Sequence, residues 1–334
     1  MPSTPPRLSR LRDLFDLDPQ WSRVLAKPVI PKLFKRAHPG VQIRLFKLLS
    51  STTDLRLRPV LNDLRKLAHD SRQVHAILKR QLSDGSWGTG EPGKAPSRNR
   101  QLLLLAHVQT LRALADLGGT RKWHEVKRAL KVLLDYQDAE GRFPLPYHHQ
   151  AAIGALMLDL GLIRNPAVHR LAHWLAERQR TDGGWMHVQV RTGADKGKSC
   201  IWTTAEVLNF LSRYPTMRIK EFLKPAGEFL LANALHPNHT TLLPDAHNWN
   251  ILATGHRDVQ LFQGGTLKVL AGLSQAGFNP GNPQFKKLYT WLLEQQLTNG
   301  LFPAAAGQDQ RGDEWVTVKV LEVVKTVESS RPDR

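Results

Sequence analysis

Gln81-Leu82-Ser83-Asp84-Gly85-Ser86-Trp87 is the stretch that decides the fold, because its pattern returns three times. Gln137 to Phe143, Gln179 to Trp185 and Gln296 to Phe302 keep the same order: Gln, two variable residues, an acid or amide, Gly, one variable residue, an aromatic. Four copies in 334 residues mark a repeat architecture. The four glutamines stand 56, 42 and 117 residues apart. The last interval is close to two repeats, so a degenerate copy is expected near Asn233, in residues 230–238, with its glycine and aromatic lost. That makes five units.

Each unit has one plan. An amphipathic helix runs up to the motif, with apolar residues at intervals of three and four and one wet face: residues 123–136, 166–178, 219–231 and 283–295. A loop follows, then a helix apolar on more than one face: residues 101–117, 151–160, 202–211, 266–276 and 315–327. Gly118-Gly119, Gly161, Pro215 and Gly277 stop these second helices, and Pro166 and Pro283 sit where a first-turn proline is tolerated. Alternating wet and buried helices imply an all-α fold, a single α/α toroid of two concentric helix rings. In the motif the glycine permits a turn, the aromatic packs between units and the Gln bonds loop backbone. All three are read as structural. The expected organisation is a basic, Pro-containing helical extension over residues 1–70, the toroid over 71–328 and a disordered tail over 329–334.

These repeats resemble the QW-type repeats of squalene/hopene cyclases, oxidosqualene cyclases and protein prenyltransferase β-subunits, over about residues 70–325. Ser199-Cys200-Ile201-Trp202 and Phe229-Leu230-Leu231 also look like a group of bacterial prenyltransferase-like proteins. The resemblance implies a prenyltransferase- or terpene-cyclase-like protein with an isoprenoid or other apolar substrate in the toroid cavity. No D-x-D-D acid motif is present, which argues against squalene-cyclase chemistry. The prenyltransferase pattern implies a zinc ion held by an Asp, a Cys and a His. Here Cys200 fits, Lys198 replaces the Asp, and His256 with Asp258 follow in a loop. The metal set so implied is Cys200, His256 and Asp258.

The first residues of the buried helices line one mouth of a toroid. Counted that way, the candidate catalytic groups are His148, His149, Cys200, Asp258 and Asp313. Trp202 and Trp315 are the candidate apolar walls, with Gln260 beside them. Arg98, Arg100 and Lys198 would favour an anion such as a diphosphate, as helix N-termini do. No His pair stands out at metal-binding spacing on a helix face.

The net charge of +18 is uneven: residues 1–80 carry 17 Lys/Arg against 6 Asp/Glu. Residues 41–49 read as a basic amphipathic helix that either lies on an anionic membrane surface or packs on the toroid with its charges in water. A non-catalytic scaffold for a membrane or a protein partner is therefore the second function class. Nucleic-acid binding through the basic region is the third, although no zinc finger, RNP motif or helix-turn-helix is visible. One Cys, no cleavable signal and no 18-residue apolar run point to a cytoplasmic setting.

Overall fold

The computed structural model of the chain describes residues 16–50, 57–87, 97–186, 199–218, 221–235, 249–252, 265–307 and 311–330. A short 3-10 turn, Gln20–Val24, precedes α1 Ile30–Arg36, α2 Pro39–Leu49, α3 Arg58–His69, α4 Arg72–Leu78 and α5 Ser97–Asp116. Next come α6 His124–Leu134, α7 Tyr147–Asp159, α8 Pro166–Ala176, α9 Ile201–Leu211, the single turn α10 Pro215–Arg218 and α11 Leu223–Ala232. α12 Thr266–Gln275, α13 Pro283–Glu294 and α14 Glu314–Ser329 complete the order. Among the described residues only isolated β-bridges occur. The protein is an all-α toroid.

α5, α7, α9, α12 and α14 pack side by side as an inner layer, and α6, α8, α11 and α13 cover them. These nine are the helices expected from the repeats, each within a few residues of its expected bounds. The gap between α14 and α5 is filled by α2. It packs on α14, and a side-chain carbon at Gly40 would lie 2.6 Å from the Asp116 carbonyl oxygen and 2.7 Å from Trp315. Residues 30–49 thus supply a sixth helix pair and close the ring, with α1 and α3 packed on the outside of α2. This decides between the two readings of residues 41–49 in favour of packing on the toroid. The helix at 41–49 does not offer an apolar face to a membrane, because Val41, Ile43, Leu45 and Phe46 are core.

The motif works as a staple between neighbouring outer helices. In every copy the Gln side-chain amide donates to the carbonyl of its own motif glycine. It also donates to a carbonyl at the start of the next outer element. Gln81 reaches Gly85 and Glu125, Gln137 reaches Gly141 and Ala167, and Gln179 reaches Gly183 and Phe222. Gln296 reaches Gly300 and Lys27, both at 2.9 Å, and Lys27 N–H returns a bond to the Gln296 side chain at 3.0 Å. The last motif therefore grips the N-terminal segment. The motif glycines turn with φ near +90° (Gly141 +95°, Gly183 +88°). A side-chain carbon there would also meet the next helix, 2.7 Å from Arg170 backbone or 2.4 Å from the Pro225 carbonyl oxygen. The aromatics Trp87, Phe143, Trp185 and Phe302 are buried. Burying one such side chain contributes roughly 1.5–3 kcal/mol, against about 1 kcal/mol net for a hydrogen bond. The aromatic drives the packing and the glutamine sets its register.

Among the described residues the expected degenerate copy makes no staple: the Asn233 amide bonds Phe229 carbonyl in its own helix. Gln179→Leu is expected to cost about 1–3 kcal/mol, because the Gly183 and Phe222 carbonyls both lose their donor. Chemical denaturation of the two proteins measures it, and an unchanged midpoint would show the staple to be idle.

Candidate functional site

The four inner helices with described N-caps share a numbering. α7, α9, α12 and α14 are capped by Pro146, Cys200, Gly265 and Asp313. Two predicted catalytic residues, Cys200 and Asp313, therefore hold one equivalent position. Each pairs its backbone with the preceding motif aromatic: Cys200 N–H donates to Trp185 carbonyl at 2.8 Å, and Asp313 N–H to Phe302 carbonyl at 2.7 Å. Asp313 further caps its helix, accepting from Trp315 N–H at 2.7 Å and Val316 N–H at 3.2 Å. Four residues after the cap, Gln150, Thr204 and Thr317 each accept the aromatic's N–H.

Positions two, six, nine and thirteen after the cap fall on one stripe of a helix, spaced four, three and four apart. That stripe faces the ring axis and builds it in layers. The first layer is His148, Trp202, Leu267 and Trp315, all buried. Trp202 packs edge-on to Trp249 at 4.9 Å, Trp315 lies 5.7 Å from the His38 ring, and His148 lies 4.0 Å from His149. These buried side chains form a plug at the level of the inner-helix N-termini. Arg100, from α5, sits over the Tyr136 ring at 5.2 Å and joins none of them. Lys198, His256, Asp258 and Gln260, and the side chain of Arg98, lie outside the described residues.

Of the expected zinc set only Cys200 lies in the described residues. Burial pushes its thiol up. Among the described residues it joins no group of three potential ligands.

Below the plug the layers shrink and become polar. Ala152, Glu206, Ala271 and Lys319 form the second layer, and Ala155, Asn209, Ser274 and Glu322 the third. Asp159, Arg213 and Thr326 form the fourth. The small residues leave a cavity of about 340 Å³ on the axis, which Arg44, Arg112, Lys268 and Gln275 also line. This lies at the low end of the roughly 300–1,000 Å³ usual for small-molecule sites.

Its charges alternate. Arg213 bonds Asp159, which bonds Arg112 at 2.5 Å. Arg112 bonds Asp116 at 2.6 Å, Asp116 bonds Arg44 at 2.6 Å, and Arg44 lies 3.7 Å from Glu322. Across the cavity Lys268 pairs with Glu206 at 2.8 Å. Burial alone would raise the Asp159 carboxyl. Arg213, Arg112 and Arg44 overcome that and hold it well below the usual carboxylate range. Arg112 is likewise raised, burial being outweighed by Asp116 and Asp159. Lys319 is the exception. It makes no hydrogen bond or close ion pair among the described residues. Burial, with Arg44 and Arg112, pushes its amine down against the opposing pull of Asp116 and Glu322.

None of these charged residues was a sequence candidate. The signal was present, since charges inside helices apolar on several faces must be paired or put to use. Another pairing was also passed over: His169 and His173 stand one turn apart on α8, ring centroids 4.2 Å apart and both exposed.

No protein-family model matches the chain, and no curated protein does. Several solved structures are similar at the level of the chain trace. One is a type II terpene cyclase from Scytonema in complex with geranylgeranyl dihydroxybenzoate, 15% identical, covering 88% of this chain and 87% of its own, with a TM-score of 0.42. A polysaccharide lyase is 16% identical over 88% of both chains, TM-score 0.46. A family 88 glycosyl hydrolase from Bacteroides vulgatus is 11% identical over 88% and 92%, TM-score 0.45. A fold does not fix a function, which has to be read from the site.

Asp159→Asn tests the lumen network. A depressed carboxyl contributes stability that is fully present above its unfolded pKa, about 4, and lost as pH falls. The variant should lose about 2 kcal/mol near pH 7, less than for a fully buried pair because Asp159 keeps 21% exposure. It should also lose less than the native protein on going to pH 3, as read by urea unfolding at both pH values.

Proposed function

We propose that this protein binds a small organic anion in the axial cavity. The observation that carries the reading is Lys319. Every carboxylate around it is engaged by another cation: Asp159 at 2.5 Å, Asp116 at 2.6 Å, Glu206 at 2.8 Å and Glu322 at 3.7 Å. One surplus cation faces a hollow with the amides of Asn209 and Gln275 beside it. A carboxylate or phosphate entering there meets a charge that the protein leaves without a close partner, in surroundings that screen it weakly.

An isoprenoid enters this reading as the tail of such an anion. Ala152, Ala155, Leu267, Ala271 and Val323 offer an apolar strip beside the charges, enough for a short chain. The carboxylates do not favour cyclase chemistry, because each is held by a cation and Asp159 is kept ionised, whereas protonating an alkene needs a protonated acid. We assign Cys200, Asp313, His148, Trp202 and Trp315 to the mouth plug, and the reading routes no step through zinc.

Binding pyrophosphate, geranyl diphosphate and short dicarboxylates to the native protein and to Lys319→Met, by calorimetry, decides the matter. The native protein should bind at least one of them, and the variant at least tenfold more weakly while folding normally. Because an anion favours the ammonium form, binding should weaken as pH rises through the lowered Lys319 pKa. Tighter binding of geranyl diphosphate than of pyrophosphate would support the isoprenoid tail. No binding of any probe at millimolar concentration, or equal binding by the variant, would end the proposal.

A further inference from the structure

We propose that His69, Asp70 and His75, at the junction of α3 and α4, form a binding site for a first-row transition metal ion of the zinc class. His69 ends α3, Asp70 follows it, and His75 lies in α4. One potential ligand atom from each of the three lies within 4.8 Å of both others. That spacing requires only small side-chain adjustments to close on one ion.

The local fold explains why the three converge. α3 stops at Asp70, and Ser71 starts α4 at once by accepting Val74 N–H at 3.3 Å. With no linker between the helices, His75 comes back over the end of α3. The His69 and His75 rings stand 6.3 Å apart and nearly perpendicular, at 89°. His69 is held on another side by the Trp123 ring, edge-on at 4.7 Å. Its Nδ1 lies 3.3 Å from an Asp70 carboxylate oxygen. One of the two imidazoles is therefore positioned before any ion arrives.

Two imidazoles and one carboxylate select the ion class. Imidazole suits zinc, copper, nickel and cobalt, whereas magnesium and calcium take oxygen ligands. Three protein ligands leave a position for water or for a group from another molecule, as in open zinc sites. The three residues are partly to fully exposed, so an ion has direct access. The site is separate from the axial cavity and does not depend on an anion binding there.

The test uses the untagged full chain, with cobalt(II) as a spectroscopic probe and zinc(II) in calorimetry. His169 and His173 serve as the internal competitor, being a close and exposed imidazole pair, with Tyr214 hydroxyl 3.2 Å from His169 Nδ1. The native protein should bind one equivalent. His75→Ala should weaken it at least tenfold, and Asp70→Asn should weaken it less while leaving both imidazoles. The double variant His169→Ala/His173→Ala should bind as the native protein does. Circular dichroism without metal checks that each variant folds. Loss of binding in the His169/His173 variant but not in His75→Ala would place the ion on α8 and overturn the assignment. So would the absence of any stoichiometric binding.

Discussion

A ring of helices depends on its last contact, and here that contact joins the two ends of the chain. Gln296, near the C-terminal end, exchanges hydrogen bonds with Lys27 in both directions, at 2.9 and 3.0 Å. Every other staple links elements 30 to 44 residues apart, whereas this one spans 269. Loop-closure entropy grows slowly with length, so the long closure is affordable once the intermediate units have stacked. Without it, α2 would lose the neighbour that holds it between α14 and α5, and Arg44 would no longer reach Asp116 and Glu322. The charged lumen therefore depends on closure as much as the apolar core does.

The lumen in turn constrains the ring. Arg44, Arg112, Asp159 and Arg213 come from α2, α5, α7 and the end of α9. An alternating chain of charges across four elements fixes their relative rotation, because a displaced helix would strand a buried charge. That cost exceeds the stabilisation a formed pair contributes. The apolar core tolerates small shifts in packing, and the charge chain does not.

The fold was legible because its signals are local. Gln, Gly and aromatic at fixed order, with alternating wet and buried helices, place nine helices and both layers within a few residues. The sixth pair was missed because residues 30–49 carry no copy of the motif; the staple of Gln296 falls on Lys27, just before them. Their Arg44 and Lys47 read as solvent-facing charges, yet Arg44 points to the lumen and bonds Asp116. At the start of the inner helices a list of first-turn residues does not say whether Trp202 and Trp315 leave a gap or fill one; both are buried.

Repeats offer a way to separate the two kinds of position. Where equivalent residues do the same job in two or three units, the job is architectural: the backbone bond to the motif aromatic at Cys200 and Asp313, the acceptor at Gln150, Thr204 and Thr317, the buried first layer at His148, Trp202 and Trp315. Where equivalent residues share a direction and differ in chemistry, symmetry no longer accounts for them. The second layer is Ala152, Glu206, Ala271 and Lys319, and the fourth sets Asp159 beside Arg213. A toroid needing only a filled core would place apolar side chains at all of these slots, and two unlike charges in a four-residue layer cost desolvation that packing does not require. The divergence of the lumen layers, set against the uniformity of the mouth, is the physical reason to look for the ligand below the plug.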